Sequence, residues 1–430
     1  LVFLCIILYL PAGDLYVFCG AGDNLWVTTI EPVDSKAAIE EMLEWMNETY
    51  GISRLYWRSI NNWCNLKAND LNVLTTDWRR WQQQLNDDLD LDRLAVNAAK
   101  ANGMEAFLYL GLLEHGLQPD AKSSYEFESK LRIAHPEWCG IDRWGERREP
   151  GPISFTYPEA RKAVIDAYLK QIEDFGYDGI NFYTYVENFA IRYEHEFGFE
   201  PAVIELFRKK FPNVDLRKDK LSEEQAEHWY YCRGHFVTVF LRELSQALHA
   251  SGKKLSIILD ADEPKYVQPW WGMPIRGTGK IHLDYPTWIA EGIVDELWVQ
   301  LAGLQSQQKT LRELLKLTAG TNIRLTVRTP EPLAEHWDDF KAQGVSTIAV
   351  ITWARNGIEP YSLAQINKDS FSSPDWTIRA QALRDVAAGK INAHAEEILF
   401  LANDPKVLVR RNLYLALAKL VVASGDSALL

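Results

Sequence analysis

"YDGINFYTYVEN", residues 177–188, reads as a β-strand with an unusual ending. Ile180, Phe182, Thr184 and Val186 alternate with Asn181, Tyr183, Tyr185 and Glu187. A period of two sends the first set to one face of a sheet and the second set to the other. One face is fit for burial, and the other carries tyrosines and finishes on a carboxylate.

Seven more runs of this kind surround it. They are "NLWVTTI" (24–30), "SRLYWRS" (53–59), "EAFLYLG" (105–111), "KLSIILDAD" (254–262), "DELWVQLA" (295–302), "RLTVRTP" (324–330) and "TIAVITWA" (347–354). Between them lie amphipathic patterns such as "SKAAIEEMLEWMNETYG", "YPEARKAVIDAYLKQIEDFG", "FVTVFLRELSQALHASG" and "TLRELLKLTAG", each closed by Gly as a helix stop. Strands alternating with helices indicate an α/β fold with a parallel sheet, and eight strands are the number that closes a (β/α)8 TIM barrel. The alternative is a doubly wound open sheet. That fold usually carries a Gly-rich phosphate loop after its first strand, and "IEPVDSK" has none.

The chain divides into three parts on this reading. Residues 1–23 form an N-terminal apolar segment, 24–370 the barrel, and 371–430 a short all-α tail. "LVFLCIILYL" (1–10) is too short to span a bilayer as a helix and suits the apolar core of a signal peptide, which points to export to the periplasm or the exterior. An ordered strand packed on the domain is the other reading. In the tail, "DWTIRAQAL" (375–383) and "DPKVLVRRNLYLAL" (404–417) repeat one pattern with a period of 31 residues, taken from Ile378-Arg379 and Val409-Arg410.

Bulk composition narrows the function. An apolar content of 47% supports a sizeable core, and a formal charge of −13 disfavours nucleic acid as a partner. Sixteen tryptophans is a heavy load, in keeping with aromatic surfaces that bind sugars as well as with core packing. The five cysteines are scattered without a CxxC pair, so neither a disulfide framework nor a zinc site is indicated. No cofactor is expected.

Parity then assigns the barrel interior strand by strand. Arg54, Tyr56 and Arg58 share one face of the second strand, and Phe107 and Tyr109 that of the third. Asn181, Tyr183, Tyr185 and Glu187 follow, then Ser256, Asp260 and Asp262, then Trp298 and Gln300, then Thr326 and Arg328, and finally Trp353. Ser256 and Arg324 fall near the bottom, where a satisfied polar network is the expectation. Active sites of such barrels sit at the C-terminal strand ends. The candidate catalytic groups there are Glu187 with Asp260 or Asp262. The candidate substrate-binding residues are Tyr56, Arg58, Tyr109, Tyr183, Tyr185, Gln300, Arg328 and Trp353, with Trp270 and Trp271 from the loop "PWWGMP". Paired carboxylates among aromatic walls suit glycoside hydrolysis, in which one carboxylic acid protonates the leaving oxygen and a second carboxylate attacks or activates water. Glu114-His115 is an acid/base or metal candidate, with a hydrogen-bonded loop pair as the bland alternative. "YEHEFG" (193–198) lacks the HExxH spacing of a zinc peptidase.

"AHPEW" (134–138), "SFTYPEARKAVIDAYLKQI" (154–172) and "YDGINFYTY" (177–185) together resemble the glycosyl-hydrolase-10-like proteins, whose pattern runs from an "hPEW" segment through a "P-E-v-R" helix to a "DGIhlDY" strand. The resemblance covers about residues 24–365 in order, and it implies a (β/α)8 barrel acting on carbohydrate. The aspartate of that strand falls here on Tyr183, which leaves its role to Glu187 or leaves the site altered. Strand seven offers Arg328, with Glu331 only in the following loop. The tail resembles HEAT repeats and would offer a docking surface to a protein partner. Two functions follow: a glycosidase, or a non-catalytic carbohydrate-binding barrel with a helical docking tail.

Overall fold

The computed structural model describes residues 15–20, 36–50, 52–58, 90–113, 115, 130–184, 197–260, 263–267, 280–300, 308–328, 337–351, 367–374 and 376–424. Ten strands occur among them: β1 (Leu15–Gly20), β2 (Ile52–Arg58), β3 (Glu105–Gly111), β4 (Cys139–Ile141), β5 (Arg148–Ile153), β6 (Gly179–Tyr183), β7 (Lys254–Asp260), β8 (Glu296–Gln300), β9 (Arg324–Arg328) and β10 (Thr347–Ile351). β4 and β5 pair as a small antiparallel hairpin. The other eight strands are all parallel and curl into one sheet of order β1-β10-β9-β8-β7-β6-β3-β2, in which β1 also pairs with β2.

Helices occupy the connections: α1 (Lys36–Tyr50), α2 (Leu91–Ala101), α3 (Lys130–Ala134), α4 (Pro158–Phe175), α5 (Pro201–Lys210), α6 (Glu223–Ala250), α7 (Tyr285–Ala290), α8 (Gln308–Thr318) and α9 (Trp337–Ala342). Local signals explain where they start and stop. Pro158 opens α4 with its fixed φ, and Gly176 ends it in the left-handed region at φ 81°. α6 begins on a capping box, in which Ser222 accepts from the Gln225 N–H and Gln225 reaches back to the Ser222 N–H. Register is pinned from below by two aspartates that precede strands. Asp178 accepts the N–H of Ala106 at 2.9 Å, and Asp295 accepts that of Leu255 at 2.7 Å.

Two of the expected elements differ. The first strand of the sheet is Leu15–Gly20, which the sequence reading leaves in the N-terminal segment; the run 24–30 lies outside the described residues. "LYVFCG" alternates as well as "NLWVTTI" does, and only pairing with both β10 and β2 distinguishes it. The second difference is the opening stretch, whose strand ends at Tyr183 rather than running to Glu187. Thr184 leaves the ladder, and its hydroxyl donates to the Ile258 carbonyl at 2.7 Å.

Two of the three apolar compartments among the described residues border the curled sheet, and the third packs α5 against α6 around Phe207 and Trp229. The larger fills the space between strands and helices, with Leu55, Leu108, Ile180, Phe182, Ile257 and Leu297 all buried. The smaller lies within the curl of the sheet: Tyr56, Phe107, Tyr109, Tyr183, Ile258 and Trp298. Gly179 makes room there, because a Cβ at that position would come within 2.5 Å of both the Phe107 ring and the Lys254 carbonyl oxygen.

Below the aromatic cluster sits a buried polar layer centred on Glu296. Its Oε2 accepts from Arg54 Nη1 at 2.9 Å, Tyr56 Oη at 2.7 Å and Ser256 Oγ at 3.1 Å, and its Oε1 accepts from Thr326 Oγ1. Arg54 also grips Glu105, which holds Lys254 Nζ at 2.7 Å. Ser256 takes a hydrogen bond from Asn181 at 2.6 Å, and Arg324 donates to Thr347 at 2.8 Å. The bottom of the sheet's interior is therefore a hydrogen-bonded polar layer, as the parity of Ser256 implies, with Asn181 Oδ1 left there without a partner.

The tail is helical where described. α10 (Trp376–Ala387), α11 (Ala395–Ile398) and α12 (Val407–Ser424) follow the last strand, with short 3-10 turns between them. Its hydrogen bonds repeat at the sequence period. Arg379 Nη1 donates to the carbonyls of Ser373 and Pro374, and Arg410 Nη1 to those of Asp404 and Pro405, each 31 residues on. Arg379 also forms a bidentate pair with Asp404, at 2.7 and 3.1 Å. Lys406 joins the tail to α1 through Glu44 at 2.8 Å.

Removing one partner of a buried ion pair costs about 3–5 kcal/mol, because the other charge stays behind. Glu296→Ala is expected to destabilise the protein by that amount in urea unfolding, whereas Glu105→Ala, on a side chain 39% exposed, costs clearly less.

Candidate active site

The upper rim of the sheet is set by how the strands end. β2 finishes on Arg58, β6 on Tyr183, β7 on Asp260, β8 on Gln300 and β9 on Arg328. Register places Asp260 beside Gln300 and Gln300 beside Arg328, so three adjacent strands present polar residues side by side. Arg58, Tyr183 and Asp260 are on the parity of the interior cluster; Tyr183 is part of that cluster, and Arg58 touches it directly. Tyr109 lies against Tyr183 with ring centroids 4.9 Å apart. Arg58 Nη2 donates to the Tyr183 hydroxyl at 3.2 Å, with its guanidinium 5.5 Å from the ring centroid. A cation thus sits on Tyr183 at the end of β6.

The remaining expected residues divide as follows. Tyr56 is fully buried one layer down, against Phe107 and Trp298, with its hydroxyl given to Glu296; it belongs to the packing inside the curled sheet rather than to the rim. Tyr185, Glu187, Asp262, Trp270, Trp271 and Trp353 lie outside the described residues. Because β6 stops at Tyr183, strand alternation carries no information on which way Glu187 points.

Above the rim, the connections after β3 and β6 meet. His115, just past β3, is buried, and its Nδ1 accepts the N–H of Ile153 at the end of β5. That bond fixes the tautomer with the proton on Nε2. His115 is consequently a structural acceptor; Glu114 lies outside the described residues. Burial, helped by the nearby Arg132 charge, lowers the His115 pKa to about 3, so the ring stays neutral in the folded protein. The β4–β5 hairpin leans on the segment before α5: Phe199 donates its N–H to the Ile141 carbonyl, and Arg217 holds the Phe199 carbonyl at 3.0 Å. At the hairpin tip Trp144 is 56% exposed.

Two buried glutamates among the described residues escape the sequence reading, Glu296 and Glu200. The parity of Glu296 with Trp298 and Gln300 carries the signal for the first. For the second there is none, because Glu200 precedes Pro201 at a helix start, where an acid is ordinarily a solvated cap. Among the described residues no group of three or more His, Cys, Asp or Glu could hold a metal ion, and no helix is long and apolar enough to cross a membrane.

No family model matches the chain, and none of the curated proteins does. Solved structures with a likeness to it include a cycloisomaltooligosaccharide glucanotransferase from Paenibacillus sp., at 13% identity and a TM-score of 0.40, covering 73% of this chain and 38% of that one. A Group IV chitinase from Ostrinia furnacalis gives 12% and 0.35, with 73% and 66% covered. A noncanonic maltogenic α-amylase from Thermotoga neapolitana gives 11% and 0.40, with 78% and 67% covered. The chain thus spans well under half of the first of these and about two thirds of the other two.

The His115 geometry has a pH signature. Its folded pKa lies below the unfolded value of about 6.5, so its stabilising contribution is complete above that value and is lost as pH falls from there toward 3. Over that interval this one group should lower the unfolding free energy by about 1.4 kcal/mol per pH unit. The slope should shrink by that amount in His115→Phe, measured by urea unfolding at a series of pH values.

Proposed function

We propose that the chain is a (β/α)8 barrel that cleaves a glycosidic bond in an oligo- or polysaccharide, with a HEAT-like helical tail as a docking module. The observation that carries this reading is the set of strand ends: Arg58, Tyr183, Asp260, Gln300 and Arg328 finish five strands of one parallel sheet, the first three on the interior parity, with Tyr109 packed beneath Tyr183. Barrel enzymes place their chemistry at that end. Carbohydrate is the substrate class that suits the mixture, since guanidinium, amide and phenol groups hydrogen-bond hydroxyls while aromatic faces take the apolar side of a sugar ring. The resemblance to the glycosyl-hydrolase-10-like proteins in three motifs supports the same class.

In this reading Asp260 supplies the carboxylate that attacks or activates water, and Glu187 the proton for the leaving oxygen, with Asp262 as the alternative partner. Export, on the strength of the apolar run 1–10, is part of the proposal.

A second reading has its own observation. Tyr183 replaces the aspartate of the family strand, and Arg58 already occupies its hydroxyl. This favours a barrel that binds carbohydrate without cleaving it.

The two readings separate in one experiment. Purified protein is screened against polysaccharides and aryl glycosides for both release of reducing ends and binding. A glycosidase gives turnover that falls about 10²–10⁴-fold in Glu187→Gln or Asp260→Asn while binding persists. Binding without turnover in the wild type selects the second reading, and neither binding nor turnover on any glycan removes both.

A further inference from the structure

The seam between the β4–β5 hairpin and the helices beside it holds a cavity of about 20 Å³. Ser154, Thr156, Gly198, Glu200 and Arg233 supply its polar lining, and Phe155, Val237 and Ile281 are among its apolar walls. Five parts of the chain meet there: Leu113 after β3, the residues that lead from β5 into α4, the segment that leads into α5, the middle of α6, and Ile281 before α7. Packing around it is close. A Cβ at Gly140 would fall 2.4 Å from the Phe197 ring and 3.4 Å from Glu200 Oε1, and one at Gly198 would fall 2.4 Å from Arg233 Nε.

Glu200 is 1% exposed, and its Oε2 has no hydrogen-bond partner in the protein. A buried carboxyl oxygen left without a partner is costly, so such a group normally meets an ordered water. A cavity needs roughly 10–15 Å³ to admit one water, and polar groups to hold it. This cavity meets both conditions: it is large enough, and the Ser154 and Thr156 hydroxyls, 2.9 Å apart, lie in its wall with Glu200.

We infer that the cavity binds one water molecule, which links Glu200 Oε2 to the wall that carries the Ser154–Thr156 hydroxyl pair and fastens the rim hairpin onto α5 and α6. The charged and titratable groups around Glu200 come from each neighbouring element. Arg233 of α6 spends Nη1 and Nη2 on the carbonyls of Lys280 and Phe197 and lies 3.8 Å from the Trp229 ring centroid. Arg148 of β5 donates to the Cys139 carbonyl and the Tyr157 hydroxyl. Burial raises the Glu200 pKa, against the opposing pull of the Ser154 hydrogen bond, its own backbone N–H, and the Arg233 and Arg148 charges. The fastening is therefore complete below the ordinary carboxylate range and is lost as pH rises through the folded pKa.

Hydrogen exchange of the 139–153 amides in the full chain, corrected for intrinsic rates, tests the inference across pH. Wild-type protection should fall by about ten-fold per pH unit from the ordinary carboxylate range up to the folded midpoint, then level off. Glu200→Gln keeps the shape and cannot ionise, so its hairpin should stay protected throughout. A flat wild-type profile overturns the inference, as does a Glu200→Gln profile with the wild-type slope. A crystal structure at high resolution gives a second readout that needs no variant. Water density within hydrogen-bond distance of Oε2 is expected, and an empty cavity overturns the site.

Discussion

The Glu296 carboxylate is the point on which the interior of the curled sheet depends. A charge buried inside a curl of strands survives only if its lone pairs are occupied, and here donors from β2, β7 and β9 converge on one side chain of β8. Four strands are thereby held at one height. A shift of any of them by a single residue would turn its donor toward the helices and leave Glu296 unsatisfied, so the network resists register slips far more sharply than apolar packing can. Everything above inherits that height: the aromatic cluster rests on the polar layer, and the polar strand ends rest on the cluster.

Much of this was legible in the residues. Period-two alternation in "SRLYWRS", "EAFLYLG", "KLSIILD" and "DELWVQ" separates interior from exterior correctly, and Tyr56, Phe107, Tyr109, Tyr183 and Trp298 do meet in one cluster. What alternation cannot give is height along the axis. Tyr56 and Arg58 share a face, yet one hydroxyl is committed to the polar layer while the other side chain reaches the rim. The first strand was hidden for a different reason. Leu15–Gly20 adjoins a long apolar run and has no sequence mark of its own, and pairing across the whole chain length to β10 is what selects it.

Burial that arises from tertiary packing leaves the weakest trace. Glu200 stands before a proline at a helix start, where the local pattern says solvent; the hairpin of residues 139–153 is what covers it. His115 likewise reads as a loop acid/base until the Ile153 N–H is found on its Nδ1. Both belong to the connections that rise after β3 and β6. Those connections are anchored to each other there by polar contacts, the Phe199 N–H on the Ile141 carbonyl among them, and by apolar ones, with Phe155 stacked on Phe240 of α6.

Gly179 has a consequence for how this sequence can drift. Its missing side chain is filled by the Phe107 ring, and a smaller residue at 107 would seem to open the way for alanine at 179. It does not, since the Lys254 carbonyl oxygen stands equally close and belongs to the backbone of the next strand. No single compensating substitution can move it. Position 179 is thus an evolutionary dead end for every residue but glycine, while 107 remains open to exchange, and the two positions should vary independently despite touching.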